Sequence, residues 1–163
     1  MTAQGGIVIE DVPVGERIRL EGILDESFEG WYLRHSKRTL LEAEVVRAAL
    51  SADMPVGMVM LNMLDTHVGY VFYIAVAAAY RRTGVAGMLL DDALQYLKDA
   101  GVKEVYAGVE EENVPSERLF ASRGFIRTSF GDVSKKYGSL RTLNMYRKML
   151  IVPGEILLRK DVV

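Results

Sequence analysis

Residues 70–97 place a segment typical of a β-strand directly before a segment typical of an α-helix. The first, "YVFYIAVAAA", is rich in β-branched and aromatic residues, and the second, "YRRTGVAGMLLDDALQYL", carries apolar residues at helical spacing. Two arginines and two glycines lie at the junction. A helix N-terminus offers unpaired backbone N–H groups and a partial positive charge, and glycine lets a ligand approach the backbone closely. The junction therefore predicts an anion site, and phosphate groups bind readily at such sites.

Two common phosphate loops do not fit this junction. A P-loop carries a Lys followed by Ser or Thr after its second glycine, whereas Met88 and Leu89 follow Gly87 here. The dinucleotide fingerprint has three glycines at set spacing, and only Gly84 and Gly87 are present. A single glycine would favour a tight turn with close helix packing. The combination of two glycines with two arginines instead favours a ligand site.

The rest of the chain predicts an α/β (α+β) fold with one mixed β-sheet flanked by helices. Its 163 residues fit one domain and no linker or repeat divides them, so we predict a single domain over 1–163. Strand patterns lie at residues 7–12, 44–50, 56–64, 70–76, 102–109 and 142–150. Helix patterns lie at residues 15–28, 31–37, 84–100 and 115–123. Strands that alternate with helices are typical of this class.

The composition narrows the functional classes. The 20 basic and 22 acidic residues are well mixed and give a net charge of −2, without the basic surface expected of a protein that binds nucleic acid or an anionic membrane. The absence of cysteine excludes disulfides, thiolate metal sites and cysteine nucleophiles. The start of the chain has no signal-peptide pattern, and the 13-residue apolar run at 68–80 is too short to span a bilayer. We therefore expect a soluble, cytoplasmic protein.

Two segments resemble the signatures of the GNAT N-acetyltransferases. "IAVAAAYRRTGVAGMLL" resembles their acetyl-CoA motif, in which Gln or Arg, two residues, Gly, one residue and Gly or Ala correspond to Arg81, Gly84 and Ala86. "ENVPSERLFASRGF" resembles their second signature, an Asn followed by a short helix that ends in Gly-Phe. The resemblance covers about residues 7–150. It implies a sheet splayed at the acetyl-CoA site and direct acetyl transfer to a primary amine of a small molecule or a peptide N-terminus, without a metal.

The resemblance also implies which residues hold acetyl-CoA. The pyrophosphate would lie on the turn 81–87, and the pantetheine arm would bond the backbone of residues 74–76 as an added strand. Asn113 would bond the far side of the arm, although an Asn here equally fits a helix cap. Ser116 fits a cap better than a ligand contact. The full set of predicted cofactor contacts is Ile74, Ala75, Val76, Arg81, Arg82, Thr83, Gly84, Val85, Ala86, Gly87, Asn113, Ser116 and Phe120.

The acid and the base that family members use are both missing from their usual places in this chain. Many members carry a Tyr that protonates the departing thiolate where this chain has Phe120, and the ribosomal-protein N-acetyltransferases use a Glu base where it has Gly108. The oxyanion would be bound by the backbone N–H near Val76, as in the family. For the catalytic base we predict Tyr70, which would order a water, or Glu110. Their plainer interpretations are a half-buried strand Tyr and a solvated acidic turn.

The acceptor amine and the partners are less constrained. In the family the loop between the first helices shapes the acceptor pocket, and here "DESFEGWY" (25–32) offers acidic and aromatic side chains, which equally fit a solvated loop. His35 and His67 have no evident link to the site. The tail "VPGEILLRKDVV" can pair with a second copy, which would form a homodimer. A non-catalytic acyl-CoA sensor or scaffold module is the alternative to an enzyme. A nucleotide-binding protein of another class is disfavoured because this chain lacks the P-loop lysine.

Overall fold

A seven-stranded mixed sheet has the strand order β1-β2-β3-β4-β5-β7-β6. The structure, a computed structural model, describes residues 6–151 and 153–162. The strands are β1 Ile7–Asp11, β2 Val45–Ser51, β3 Met54–Asp65, β4 Val68–Val76, β5 Glu104–Glu110, β6 Ile126–Thr128 and β7 Glu155–Asp161. The helices are α1 Glu21–Ser27, α2 Gly30–Glu42, α3 Val85–Asp99, α4 Val114–Ser122, α5 Phe130–Tyr137 and α6 Ser139–Met149, with 3₁₀ helices at Val14–Leu20 and Ala78–Tyr80. The α/β prediction with a mixed sheet flanked by helices is confirmed.

The chain divides into two compact units. The first holds the residues up to Asn62 and Tyr73–Gln95, and the second holds Met63–Phe72 and the residues from Tyr96 onward. In the first unit, β2 pairs antiparallel with both β1 and β3. The turn between β2 and β3 has two residues, Ala52 and Asp53, and both have positive φ, as in the favoured two-residue hairpin turns. A single domain over 1–163 stays a prediction.

The second unit contains the parallel pair of strands. The pairing of β4 with β5 runs from Val68 opposite Glu104 to Val71 opposite Ala107. β7 pairs antiparallel with β5 on one side and with β6 on the other. One apolar cluster of the second unit comprises Leu64, Val68, Tyr70, Tyr106, Val133, Met145, Met149 and Leu157. Residues from α5 and α6 therefore cover one face of this part of the sheet.

The predicted strand at 142–150 is wrong, because these residues lie largely in α6. Met145 and Met149 fit both a strand and a helix period. Thr142, Met145 and Met149 are buried, and they lie three and four residues apart, as on one face of a helix. Leu143, between them, is 44% exposed. The predicted helix at 31–37 exists but extends from Gly30 to Glu42.

The C-terminal tail does not offer an open strand edge to a second copy. β7 has a neighbouring strand from its own chain on both sides, so the pairing proposed for the tail is wrong. A homodimer stays a prediction without that support. Across the described ranges, none of the helices has the length and apolar character needed to cross a membrane.

Candidate active site

The junction between β4 and α3 is a tight turn built from two left-handed residues. Arg82 has φ +62° and Gly84 has φ +89°, a conformation that glycine adopts at little cost. The Thr83 hydroxyl donates to the Tyr80 carbonyl and closes the turn. Gly84 O accepts the first helical hydrogen bond, from Met88 N at 3.1 Å. The N–H groups of Val85 to Gly87 thus form the first turn of α3, which carries no acidic residue.

Arg81 is bound to its own chain. Its guanidinium donates to Val76 O at 3.2 Å, to Glu26 O at 2.7 Å and to Ser27 Oγ at 3.5 Å. Ala78 N donates to the Glu26 carboxylate at 2.6 Å, which adds a second link between the end of α1 and the turn. Arg81 thereby fixes the turn, and its role as a phosphate donor stays a prediction. Arg82 is exposed beside it.

The end of β4 is packed closely against β3 and α3. Ala77 N donates to Val56 O at 2.8 Å, so the link to β3 extends past Val76. A Cβ on Gly57 would lie 3.2 Å from Ala75 O and 3.0 Å from Leu89 Cδ1. Gly57 therefore allows the first turns of α3 to approach the sheet closely.

Aromatic side chains from α2, from β4 and from Phe28, directly after α1, meet in the first unit. His35 Nδ1 lies 2.6 Å from Tyr73 Oη, and Trp31 stacks on the His35 ring at a centroid distance of 4.7 Å. Tyr32 meets Trp31 edge-on, and Phe28 meets Tyr73 edge-on. We define these five residues as the aromatic cluster. Burial lowers the pKa of His35, the charge of Arg38 lowers it further, and Glu42 opposes the shift.

The aromatic cluster links His35 to the predicted cofactor strand, because Tyr73 directly precedes Ile74. No pattern along the chain connects His35 with this strand. The available signal was the spacing of four between Trp31 and His35, which puts both on one helix face. The acidic side chains of residues 25–32 are partly neutralised or engaged, since Asp25 pairs with Lys37 at 2.7 Å and Glu26 accepts from Ala78 N in the turn.

Tyr70 and Gly108 lie against each other in the second unit. Tyr70 is 3% exposed, and a Cβ built on Gly108 would lie 2.6 Å from its hydroxyl oxygen. Its ring meets Phe72 edge-on at 4.8 Å. The Tyr70 hydroxyl therefore occupies the space beside the position where the family resemblance places a Glu. Glu110, the other predicted base, is exposed at the end of β5.

The second predicted signature forms a capped helix. Asn113 is the N-cap of α4, and its Oδ1 accepts from Ser116 N at 3.3 Å. Ser116 thus donates through its backbone, so its predicted role as the cap is filled by Asn113. The cap uses only the oxygen of the Asn113 amide, which is compatible with the predicted ligand contact. Phe120 is buried and meets Phe125 edge-on at 5.0 Å.

Among the described residues, the His67 ring contacts the backbone of a turn and not the predicted cofactor residues. His67 Nδ1 lies 3.1 Å from Gly101 O, in the turn before β4 and away from the predicted cofactor residues along the chain. Within residues 6–151 and 153–162, no group of three or more His, Asp or Glu side chains is arranged to hold a metal ion.

A family model described as the Acetyltransferase (GNAT) family matches residues 15–125, which is more than half of the chain. The chain belongs to the GNAT acetyltransferase family. As a GNAT protein it is a transferase, and the family's reaction is acetylation that depends on acetyl-CoA.

Solved GNAT structures share the fold of this GNAT chain. An acetyltransferase of the GNAT family from Desulfovibrio desulfuricans has a TM-score of 0.75 at 12% identity, with 97% of this chain and 100% of that chain covered. PaiA N-acetyltransferase from Thermoplasma acidophilum, in complex with coenzyme A, has a TM-score of 0.72 at 14% identity, with 96% and 99% covered. A GNAT acetyltransferase from Elizabethkingia anophelis with acetyl-CoA bound has a TM-score of 0.70 at 18% identity, with 95% and 97% covered. A comparison with curated proteins found no matching sequence.

Proposed function

We propose that this GNAT protein transfers the acetyl group of acetyl-CoA directly to a primary amine of a small molecule or a peptide N-terminus. The junction between β4 and α3 carries the proposal. It combines the left-handed Gly84 with a first helical turn free of acidic residues, a turn that the structure describes in full. Such a turn suits a pyrophosphate because the helix dipole and three backbone N–H groups face the same anion.

The proposed cofactor contacts follow from this turn. The pyrophosphate binds Val85, Ala86 and Gly87 through their N–H groups, with the exposed guanidinium of Arg82 as a charge-assisted donor. The pantetheine arm runs along Ile74, Ala75 and Val76, as the resemblance implies. Structures of family relatives hold CoA or acetyl-CoA, which supports acetyl-CoA as the cosubstrate.

The aromatic cluster is the proposed contact surface for the acceptor. Trp31 is 45% exposed and its indole can meet an ammonium group through a cation–π contact. Tyr73 joins this surface to the strand that we propose for the pantetheine arm. A primary amine carried by a small molecule or by a peptide fits this surface equally, since recognition rests on the cationic end.

The reaction needs a base more than it needs an acid. An ammonium group must lose a proton before its nitrogen can attack the thioester carbonyl. The thiolate of CoA is a tolerable leaving group because the reference pKa of a thiol is only about 8.5. We therefore assign the more important role, assistance in deprotonating the amine, to Tyr70, whose hydroxyl lies beside Gly108. The lack of an acid at Phe120 then matters less.

The cofactor assignment can be tested by calorimetric titration with CoA. We expect Arg82→Ala to weaken binding by roughly 1.5–3 kcal/mol, the contribution of a hydrogen bond to a charged group. Arg19→Ala is the matched control, because Arg19 is an exposed arginine in the 3₁₀ helix before α1. Equal affinities in the two variants would contradict the assignment.

The reaction itself can be tested by incubating the protein and acetyl-CoA with a panel of small amines and short peptides, with free thiol as the readout. Thiol release that depends on one class of amine would support the enzyme. If CoA binds tightly but no amine is acetylated, a non-catalytic acyl-CoA-binding module is the better description. Localisation in the cytoplasm stays a separate prediction.

A further inference from the structure

The space above Gly108 is shared by two polar side chains of the second unit. A Cβ at this position would lie 2.6 Å from the Tyr70 hydroxyl oxygen and 3.3 Å from Oε2 of Glu155 on β7. The phenol and the carboxylate therefore converge on one point. The tail that forms β7 was expected to pair with a second copy and not with β5, so Glu155 was not among the predicted site residues.

Close approach explains the glycine better than backbone conformation does. Gly108 has no positive φ, so any residue could adopt its backbone conformation. A glycine inside a strand costs stability because it loses more conformational freedom on folding than other residues. A side chain here would displace the Tyr70 hydroxyl, and Tyr70 is held by burial and by the Phe72 ring. The glycine thus keeps the phenol and the carboxylate together.

Other ionisable groups near this pair already have strong partners or different surroundings. The Tyr106 hydroxyl, opposite Tyr70 in the sheet, donates to Glu104 at 2.7 Å. Arg127 on β6 binds Glu117 through two hydrogen bonds of 2.7 and 2.8 Å. Burial raises the pKa of Tyr146 on α6 and keeps its phenol neutral.

Two further charged residues lie on β5 and β7, Glu110 and Arg159. Glu110 lies opposite Glu155 in the β5–β7 register and is exposed, while Arg159 on β7 is engaged by Glu104 and Asp161. Glu155 itself is only partly exposed, and it lines a cavity of about 350 Å³ together with Tyr146 and Ile151. A proton that reaches Glu155 can therefore leave to solvent.

We propose that Glu155 is the carboxylate that takes the acceptor's proton, acting through the Tyr70 hydroxyl. This inference rests on the proposed function. The ammonium group gives one proton to Tyr70 Oη while Tyr70 passes its own proton to the Glu155 carboxylate, which leaves a neutral amine. The amine nitrogen then forms the C–N bond as the C–S bond of acetyl-CoA breaks. The second N–H proton ends on the CoA sulfur, and Glu155 returns its proton to solvent. Glu155 is a positioning and proton-accepting partner that acts through Tyr70.

The test is the pH profile of kcat/KM between pH 6 and 10 with an amine that the wild type acetylates. We expect Glu155→Gln to lower kcat/KM about 10- to 100-fold at pH 7, at or below the low end of general-base assistance. The deficit should shrink as pH rises through the pKa of the free amine, because the substrate then loses its proton unaided. Glu112→Gln is the control, since Glu112 is an exposed glutamate in the loop after β5. Its profile should match the wild type.

Two further variants keep the proposal falsifiable. Gly108→Ala should reproduce the pH-dependent deficit by displacing the Tyr70 hydroxyl, and Tyr70→Phe combined with Glu155→Gln should be no worse than the stronger single variant. If Glu155→Gln does not fold, Glu155→Asp withdraws the carboxylate while keeping its charge and should show a smaller deficit of the same shape.

The outcomes separate this inference from the proposed function. A deficit that is equal at every pH, or under twofold throughout, would overturn the role of Glu155 while the acetyltransferase activity stands. Multiplicative effects of Tyr70→Phe and Glu155→Gln would also overturn it. If the wild type acetylates no amine although CoA binds, the proposed function and this inference both fall. CoA affinity should be unchanged in all variants.

Discussion

Arg17 shows how much one side chain can organise. It is 3% exposed, and its guanidinium donates to Val12 O at 3.2 Å, to Leu40 O at 3.0 Å and to Ala43 O at 2.7 Å. It thereby joins the end of β1 to the end of α2, the helix that carries Trp31 and His35. Burial lowers the pKa of Arg17, and the three carbonyl oxygens offset the cost of burying its charge.

We expect Arg17→Met to lower the free energy of unfolding by about 3 kcal/mol, because three buried carbonyl groups lose their donor while the apolar stem is kept. Urea denaturation followed by circular dichroism measures the change. Arg19→Met is the control and should shift the free energy of unfolding by less than about 0.5 kcal/mol, as exposed substitutions usually do. A similar small change for Arg17→Met would contradict the structural role.

Phe120→Tyr tests the missing acid directly. Phe120 is 5% exposed and packs edge-on against Phe125, so an added hydroxyl would need a buried partner. We expect turnover to rise less than threefold and stability to fall by about 1–3 kcal/mol, the cost of burying an unpaired hydroxyl. Turnover at saturating acetyl-CoA and a urea titration measure the two effects. A sharp gain in turnover would show that protonation of the thiolate limits the reaction.

The geometry of the turn between β4 and α3 could be predicted because its signals are local, whereas its contacts with a cofactor stay a prediction. Gly84 was predicted at the start of the helix and adopts φ +89° there. The contact between His35 and Tyr73 joins residues 38 positions apart, and no pattern along the chain pairs them. Glu155 reaches Gly108 only because β7 lies beside β5, which depends on the register of the sheet.

At the scale of elements, Gly57 sets how close α3 lies to the sheet. A Cβ at this position would lie 3.0 Å from Leu89 Cδ1 and 3.1 Å from Val85 Cγ1, on the first two turns of α3. We expect Gly57→Ala to lower the free energy of unfolding by about 1–3 kcal/mol through overpacking. We also expect it to weaken CoA binding several-fold, because the helix N-terminus must shift.

Gly22→Ala is the matched control for Gly57→Ala. Gly22 lies in α1, and nothing is within 4 Å of its Cβ position. Alanine there should raise stability by about 0.5–1 kcal/mol, the usual gain within a helix. Thermal melting and calorimetry on both variants give stability and affinity separately. If Gly57→Ala binds CoA as tightly as Gly22→Ala, α3 does not depend on this glycine for its position.

Elements with strong local patterns were predicted well, and the others were not. The five strands β1 to β5 were found from their runs of apolar and β-branched residues. The helices α3 and α4 were found because apolar periodicity and helix boundary residues agree in each. β6 has only three residues, too few for a pattern. Residues 142–150 were wrongly predicted as a strand because Met145 and Met149 fit both a strand period and a helix period. The burial of Thr142, which distinguishes the two, appears only in the folded protein. β7 was interpreted as a tail because its partners are distant in the chain.

One buried carboxylate makes the stability of the folded protein depend on pH. Glu104 is 2% exposed, and burial alone would raise its pKa. Hydrogen bonds from Lys136, Tyr137, Tyr106 and Arg159 outweigh burial and lower the pKa to about 2 from an ordinary 4.5. The folded-state pKa lies below the unfolded one. This contribution is therefore fully present above about pH 4.5 and is lost as pH falls towards 2.

We expect the wild type to lose on the order of 3 kcal/mol of stability between neutral pH and pH 2 through this one group. Glu104→Gln should remove that part of the acid dependence and destabilise the protein at pH 7, because Lys136 and Arg159 lose their carboxylate. Urea titrations at several pH values measure both effects. Glu10→Gln, an exposed substitution on β1, should keep the wild-type slope. An unchanged slope in Glu104→Gln would contradict the assignment.

The position of β7 has a consequence for how the protein is made. β6 precedes α5, α6 and β7 in the chain, yet β6 reaches the sheet only through β7. β7 is also the strand that pairs with β5. During synthesis on a ribosome, this edge of β5 therefore stays unpaired while some fifty further residues emerge. An unpaired edge held open for that time favours aggregation and engagement by chaperones. A nascent chain halted before Glu155 should consequently be aggregation-prone and protease-sensitive, although every predicted cofactor residue is already translated.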